Sequence, residues 1–581
     1  MEKRWGLPLI AWPSRLRPNA WDLVALPLVL GGLALVAWGG FAMGARYVVG
    51  ETLPISLDPS HLPEYALRTV LRMVAALAAS LVFSLGYAAL AAKSRQAEKI
   101  LIPALDILQS VPILGFLSIT VSGFIALFPG RLLGVECAAI FAIFTSQAWN
   151  MTFSVYQSLR TVPADLIEAA RMYHLSAWQR FWRLEVPHAV PSLVWNMMMS
   201  VSGGWFFVVA SEAITVANQT ILLPGIGSYI AVAIERRALG AIAYAVLAML
   251  IVILLYDQLL FRPLLAWSRK FGDAQGEEEN PRPWFLIVLQ RAQVFNLLQR
   301  GVRLLNTWID DAIAALERLR TRRPPRRRRI AVSSRAFERG FDAALIALAA
   351  AALGWIALFI GARVAPAEIG WVFLLGSITA LRVVVLIALA SLVWVPIGVW
   401  IGLRPRIADR AQPIVQFLAA FPANLFFPVA VVAILRYRLD PEIWLSPLMI
   451  LGTQWYILFN VIAGTTGLSR ELRLAAGNLG VRGPLWWRRV ILPAIFPAYV
   501  TGAVTAAGGA WNASIVAEIV QWGDTTLRAT GIGAYIAVYT ASGDAARIAL
   551  GIGVLCLYVL AFNRLLWRRL YEVAAERLRL D

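Results

Sequence analysis

The chain repeats itself at a constant spacing of 306 residues. Ala169-Ala170, Pro187, Pro191, Gly203, Trp205, Glu212, Gly225-Ile226-Gly227 and Tyr229-Ile230 recur as Ala475-Ala476, Pro493, Pro497, Gly509, Trp511, Glu518, Gly531-Ile532-Gly533 and Tyr535-Ile536. A register held without a gap over roughly sixty positions marks a tandem duplication. Upstream, Pro103 and Pro112 match Pro413 and Pro422 at an offset of 310, so a four-residue length difference lies between that pair and the strict block.

The repeated unit is built for a bilayer. Hydrophobic residues make up 59% of the chain, charged residues 15%, and the mean hydropathy is +0.68. Residues 21–43, 67–92 and 341–362 each reach the roughly 20 apolar residues that cross about 30 Å of hydrocarbon. The pattern predicts an all-α polytopic membrane protein of about twelve spans, six in each half. The first six fall at 20–43, 67–92, 103–128, 132–156, 189–215 and 241–262. The second six fall at 341–362, 371–402, 412–436, 442–463, 495–518 and 547–567. Six is even, so both halves enter the membrane the same way round, as parallel repeats about an axis along the membrane normal. The expected divisions are a first repeat over 1–262, a linker over 263–340 and a second repeat over 341–581.

Basic residues orient the chain. Lys3, Arg4, Arg15 and Arg17 precede the first span, and Lys93, Arg95 and Lys99 are expected to fill the second loop. The linker and the tail 568–579 are arginine-rich. All fall on one side if both termini are cytoplasmic. Glu51, Asp58 and Glu64 outnumber Arg46 in the loop on the other side, where Arg131 and Arg236-Arg237 are exceptions. The net charge of +19 is therefore mostly a topology signal. The run Arg326-Arg327-Arg328-Arg329 reads as an anchor to anionic lipid rather than a nucleic-acid site. Leu298, Val302, Leu305, Ile309, Ile313 and Leu316 line one helical face, which predicts an interfacial amphipathic helix in the linker, with Trp284 and Trp308 as belt residues. Cys137 and Cys556 sit in apolar spans with no metal or disulfide spacing. The first apolar run is too long for a cleavable signal peptide.

Between the fourth and fifth spans of each half lies a loop, 157–188 and 464–493, holding Glu168-Ala169-Ala170 in one copy and Leu474-Ala475-Ala476 in the other. Seventeen positions separate Ala170 from Pro187 and Ala476 from Pro493. Small residues permit close backbone approach, and the prolines let the next span start at a new angle. This resembles the cytoplasmic EAA loop of bacterial ATP-binding-cassette (ABC) importer permeases. The resemblance implies the type I importer transmembrane fold, a location in the bacterial cytoplasmic (inner) membrane, and a coupling helix seated in a cleft of an ATPase subunit. It further implies two such subunits carrying ATP and Mg, and an extracytoplasmic substrate-binding protein. Both copies depart from the family pattern. The first has His174 where the glycine belongs, and the second keeps Gly480 but has Leu474 in place of the glutamate. A helix end there favours a left-handed residue, which His tolerates less readily than Gly. The two docking sites are therefore expected to differ in energy.

No nucleotide chemistry is encoded. A phosphate-binding loop needs Gly-Lys followed by Ser or Thr, and the chain has no Gly-Lys pair. His61, His174 and His188 are scattered, so no catalytic residue, metal or cofactor is expected in this chain. The pathway candidates are Trp205, Glu212, Trp511, Asn512 and Glu518. A carboxylate on an apolar helix avoids lipid. Glu212 and Glu518 either line the path or bond helix-end amides or a nearby arginine. The Trp, Glu and Gly-x-Gly-Tyr-Ile arrangement looks like the permease branch for nitrate, sulfonates and bicarbonate. The alternatives are a permease for ferric iron or a cationic vitamin, and an ion-gradient-driven secondary transporter. The last would need ionisable residues near the midplane of broken helices.

Overall fold

The computed structural model describes residues 21–47, 53–216, 219–271, 284–292, 301, 308 and 334–577. Among them, eight helices are long and apolar enough to cross a membrane, or ten if each of two bent pairs is one span. The protein is an all-α polytopic membrane protein, and length and composition alone do not bring the described helices to twelve. Leu133–Arg160 has 28 residues but buries Glu136, Thr145, Gln147 and Thr152, which lowers its hydropathy.

Prolines break the third span of each half. Arg95–Ser110 is followed by Ile113–Leu127, and Pro405–Ala420 meets the next helix at 75°. Pro112 and Pro422 lack an N–H and force the residue before them out of the helical region; Val111 has ψ 124 and Phe421 ψ 127. The expected second loop shrinks to one residue. Ser94 alone separates Leu62–Lys93 from Arg95–Ser110, and its hydroxyl accepts from the Ala97 amide at 3.3 Å. Arg95 and Lys99 thus stand on a helix, and Lys99 pairs with Asp342 at 2.9 Å. The predicted linker helix over 298–316 and the basic N-terminus lie outside the described residues, apart from Gly301 and Trp308.

Two antiparallel hairpins were not anticipated. β1 (Ala213–Val216) pairs with β2 (Gln219–Leu222), Ala213 opposite Leu222; β3 (Ile519–Trp522) pairs with β4 (Thr525–Arg528), Ile519 opposite Arg528. Each follows the long helix of its half, Val186–Glu212 or Leu492–Ala517, and precedes a short one, Ile226–Glu235 or Ile532–Ser542. The duplication extends to irregularities. One-turn π-helices occur at Phe181–Glu185 and Trp487–Ile491, and again at Asp257–Phe261 and Asn563–Trp567, both pairs 306 apart.

The chain divides into two compact units. One comprises residues 1–42, 158–194 and 255–330. In it the helix Ala164–Met172 leads to a capping box at Ser176 and Gln179, Arg180 pairs with Glu185 at 2.9 Å, and Arg291 lies 5.2 Å over the Trp21 ring. The other comprises 43–157, 195–254 and 331–581 and holds the main core. There Pro366–Gly402, Gln454–Thr466 and Leu492–Ala517 pack around Ile457, Val461, Ile495 and Ala503. Small residues replace the missing hydrophobic drive between membrane helices: Gly402 lies against Thr465, and Gly502 against the Tyr456 backbone.

Candidate functional site

At the end of the long helix Val186–Glu212, the Glu212 carboxylate is fully buried. One oxygen accepts from Thr69 Oγ1 and Arg72 Nη1, both at 2.7 Å, and the other from the Gly227 amide at 2.6 Å. Glu212 thereby caps the N-terminus of Ile226–Glu235, where unpaired amides and the helix dipole favour an anion. Arg72 reaches further, gripping Glu136 through Nε at 2.6 Å and Nη2 at 2.7 Å, and donating to the Pro224 carbonyl at 3.0 Å. Arg72, Glu136 and Glu212 have no exposed side-chain surface. The Gly-Ile-Gly turn exists for this approach. A Cβ on Gly225 would collide with the Glu212 carboxylate, and one on Gly227 with the Val209 carbonyl.

The second repeat builds the same lock with different partners. Thr379 Oγ1 donates to Glu518 at 2.7 Å, and the Ala534 amide caps from the short helix at 3.1 Å. Arg382 Nη1 turns mainly to the Thr530 carbonyl at 2.7 Å and stands 3.4 Å from Glu518. Its Nη2 goes to Glu442 at 2.5 Å. One substitution accompanies the shift. Position 224 is proline and offers no N–H, whereas its counterpart Thr530 donates both its amide, at 2.9 Å, and its hydroxyl, at 2.6 Å, to Glu442. Glu442 is drawn outward, and its side chain is 44% exposed.

The sequence reading missed Thr69, Arg72, Glu136 and their mates Thr379, Arg382 and Glu442. Thr69 and Arg72 recur at 310 and Glu136 at 306, so a comparison allowing the length change between spans three and four would have found them.

The geometry places the five pathway candidates in bonding and packing, and Glu212 and Glu518 take the alternative of bonding helix-end amides and a nearby arginine. Glu212 and Glu518 are consumed in the locks, Trp205 and Trp511 are buried in packing, and Asn512 accepts from the Ile113 amide at 3.0 Å across the seam between repeats. None of the five lines the cavities along that seam. The middle cavity, ≈ 80 Å³, lies where Gly203 and Gly509 of the paired long helices pass. Cavities of ≈ 770 and ≈ 250 Å³ follow toward the hairpins. Both touch Ala210, Ala213, Val516 and Ile519; Ala231 and Ile234 wall the larger, and their counterparts Ala537 and Thr540 the smaller.

The two loop helices, Ala164–Met172 and Arg470–Asn478, match residue for residue. Each ends in a left-handed residue, His174 at φ 50 and Gly480 at φ 65. In both, the next amide reaches back to the second alanine, Leu175 to Ala170 and Val481 to Ala476, each at 3.0 Å. This is the helix ending that favours glycine, and His174 adopts it against its side chain. Ala170 and Ala476 face inward, whereas Tyr173 and Leu479, also mates, are each 80% exposed. Glu168 and Leu474 are exposed, as is His174, and Ala475 is more open than Ala169. Pro187 and Pro493 stand two residues past the π-turns Phe181–Glu185 and Trp487–Ile491, inside the continuous helical runs Ala177–Glu212 and Gly483–Ala517.

Comparison with known proteins fits this duplicated architecture. The family described as "binding-protein-dependent transport system inner membrane component" matches residues 81–261 and again 394–571. The chain belongs to that family: it is a multi-pass inner-membrane permease of the ABC class, a transport component and not an enzyme. A nitrate import permease of Synechocystis sp. is 24% identical over 44% of this chain and 91% of its own length. A bicarbonate transport system permease of Synechococcus elongatus is 27% identical over 23% of this chain and 48% of its own length. A glycine betaine/proline betaine permease of Escherichia coli is 26% identical over 40% of this chain and 61% of its own length.

Proposed function

We propose that this chain supplies both halves of the membrane path of an ATP-driven importer for a small anion of the nitrate, sulfonate or bicarbonate class. The two loop helices dock two ATPase subunits, and an extracytoplasmic binding protein delivers substrate at the hairpin end. Both termini and the linker 263–340 are cytoplasmic in this reading. The observation that carries it is the paired loop helices, which share one helix-ending geometry and present Tyr173 and Leu479 outward at the same place. Two equivalent projections on one chain suit two copies of a partner.

The anion reading draws support from the nitrate and bicarbonate relatives. A quaternary ammonium solute is the second reading. Four aromatic rings line the middle cavity, and betaine permeases are among the relatives.

The test is copurification with the cognate ATPase. Tyr173→Asp or Leu479→Asp should each lower bound ATPase from two subunits toward one, and the double variant should bind none. Full ATPase binding by the double variant would overturn the docking assignment. Ala170→Trp is not a clean probe, because Ala170 packs inward and its substitution disturbs the fold itself.

A further inference from the structure

We infer that the middle cavity recognises its solute from one side only, through the hydroxyls of Thr453 and Tyr456 in the second repeat, and that it selects monovalent oxyanions over divalent ones. This rests on the anion reading above and names the residues that would carry its specificity.

The glycines of the paired long helices make room for these two side chains. A Cβ on Gly509 would collide with the Thr453 side chain, and one on Gly203 would come 3.4 Å from the Tyr456 hydroxyl. Thr453 Oγ1 is buried with no hydrogen-bond partner among the described residues. A buried hydroxyl left unpaired is costly, so the position calls for a partner that arrives and leaves. Pseudosymmetry would place a matching pair in the first repeat, and there the residues differ. Thr453 corresponds to Gln147, whose Nε2 turns to the Met73 sulfur at 3.0 Å, and Tyr456 to Asn150, which is exposed. Ser202 lines the cavity from the first repeat beside Phe206 and Phe207, but its hydroxyl donates to the Met198 carbonyl at 2.9 Å, so the O–H donors open to an anion are those of Thr453 and Tyr456.

Charge decides the class of solute. Among the described residues, no charged side chain lines this cavity. Neutral O–H donors and positive ring edges can hold a weakly hydrated monovalent anion and release it. They cannot offset the far larger desolvation cost of a divalent one. The volume of ≈ 80 Å³ suits a solute of a few heavy atoms; it equals roughly five waters at about 15 Å³ each.

The test is ATP-driven uptake by the complete reconstituted complex, with nitrate, bicarbonate, sulfate and glycine betaine as probes. The unaltered complex should take up nitrate or bicarbonate and not sulfate. Thr453→Val and Tyr456→Phe should each raise KM for that anion about tenfold, Thr453→Ser should restore it, and Asn150→Ala should leave it unchanged. Unchanged KM in both hydroxyl variants, with uptake intact, would overturn the one-sided site and leave the permease reading standing. Sulfate uptake at a similar rate would overturn the selection by charge. Uptake of glycine betaine alone would refute the anion reading and this inference with it. A variant that fails to assemble is replaced by Gly509→Ala, which presses on Thr453 and should lower uptake of the same anion; full uptake by it would count against the site.

Discussion

Around Glu212 the lock between helix end and Gly-Ile-Gly turn is dry, with Arg72 and two carboxylates wholly enclosed. Around Glu518 its duplicate opens to solvent through Glu442, and Arg382 divides its bonds among Glu442, Thr530 and Glu518. Position 224 against 530 accompanies this difference: a proline that cannot donate leaves Glu136 to the arginine, and a threonine donates twice to Glu442. Duplication thus preserved the purpose, tying the short helix to the long one, while the electrostatic stakes changed. Buried charge must be paired within the protein, whereas half-exposed charge can fall back on water.

The sharpest way to break this comparison is to remove each arginine. Arg72→Leu strands two buried carboxylates and should destabilise by about 3–5 kcal/mol. Arg382→Leu should cost about 1–2 kcal/mol, because Glu442 regains water and Thr530 still bonds it. Thermal unfolding of the detergent-solubilised variants should give the lower midpoint to Arg72→Leu; equal midpoints would refute the dry and wet distinction. Gly225→Ala and Gly531→Ala come next. Each places a methyl group on a carboxylate, and each should cost about 1–3 kcal/mol as an overpacked contact. Glu212 and Glu518 are both buried, so neither carboxylate has an open side to retreat to. The smallest effect concerns the loop helices. Gly480→His should lower stability by about 1 kcal/mol, the cost of a left-handed side-chain residue, and bring the second loop to the level of the first. Comparing ATPase retention by Gly480→His and His174→Gly would show whether that strain also separates the two proposed docking sites.

What the sequence revealed followed from long, regular signals. The 306-residue register, the apolar spans and the loop helices are repeated patterns, and the left-handed ending at positions 174 and 480 follows from how helices stop. Shorter signals were hidden. The hairpins have four-residue strands, too brief for alternation to register, and Ser94 breaks a helix without any loop composition around it. Arg72 and Arg382 fell outside the strict block because of the four-residue length change, so their partnership with Glu212 and Glu518 was invisible at one offset. At a single offset the path and a bond to helix-end amides or an arginine therefore stay open as alternatives for the two carboxylates. An intramembrane carboxylate signals a partner, and only three-dimensional placement distinguishes an arginine from a substrate.

The central claim is that this chain moves solute only when ATPase subunits drive it. Reconstituted alone in proteoliposomes it should transport nothing. With cognate ATPase and binding protein, uptake should require ATP hydrolysis and persist after proton and sodium gradients are collapsed. Uptake by the isolated chain that follows an ion gradient and ignores ATP would contradict the account.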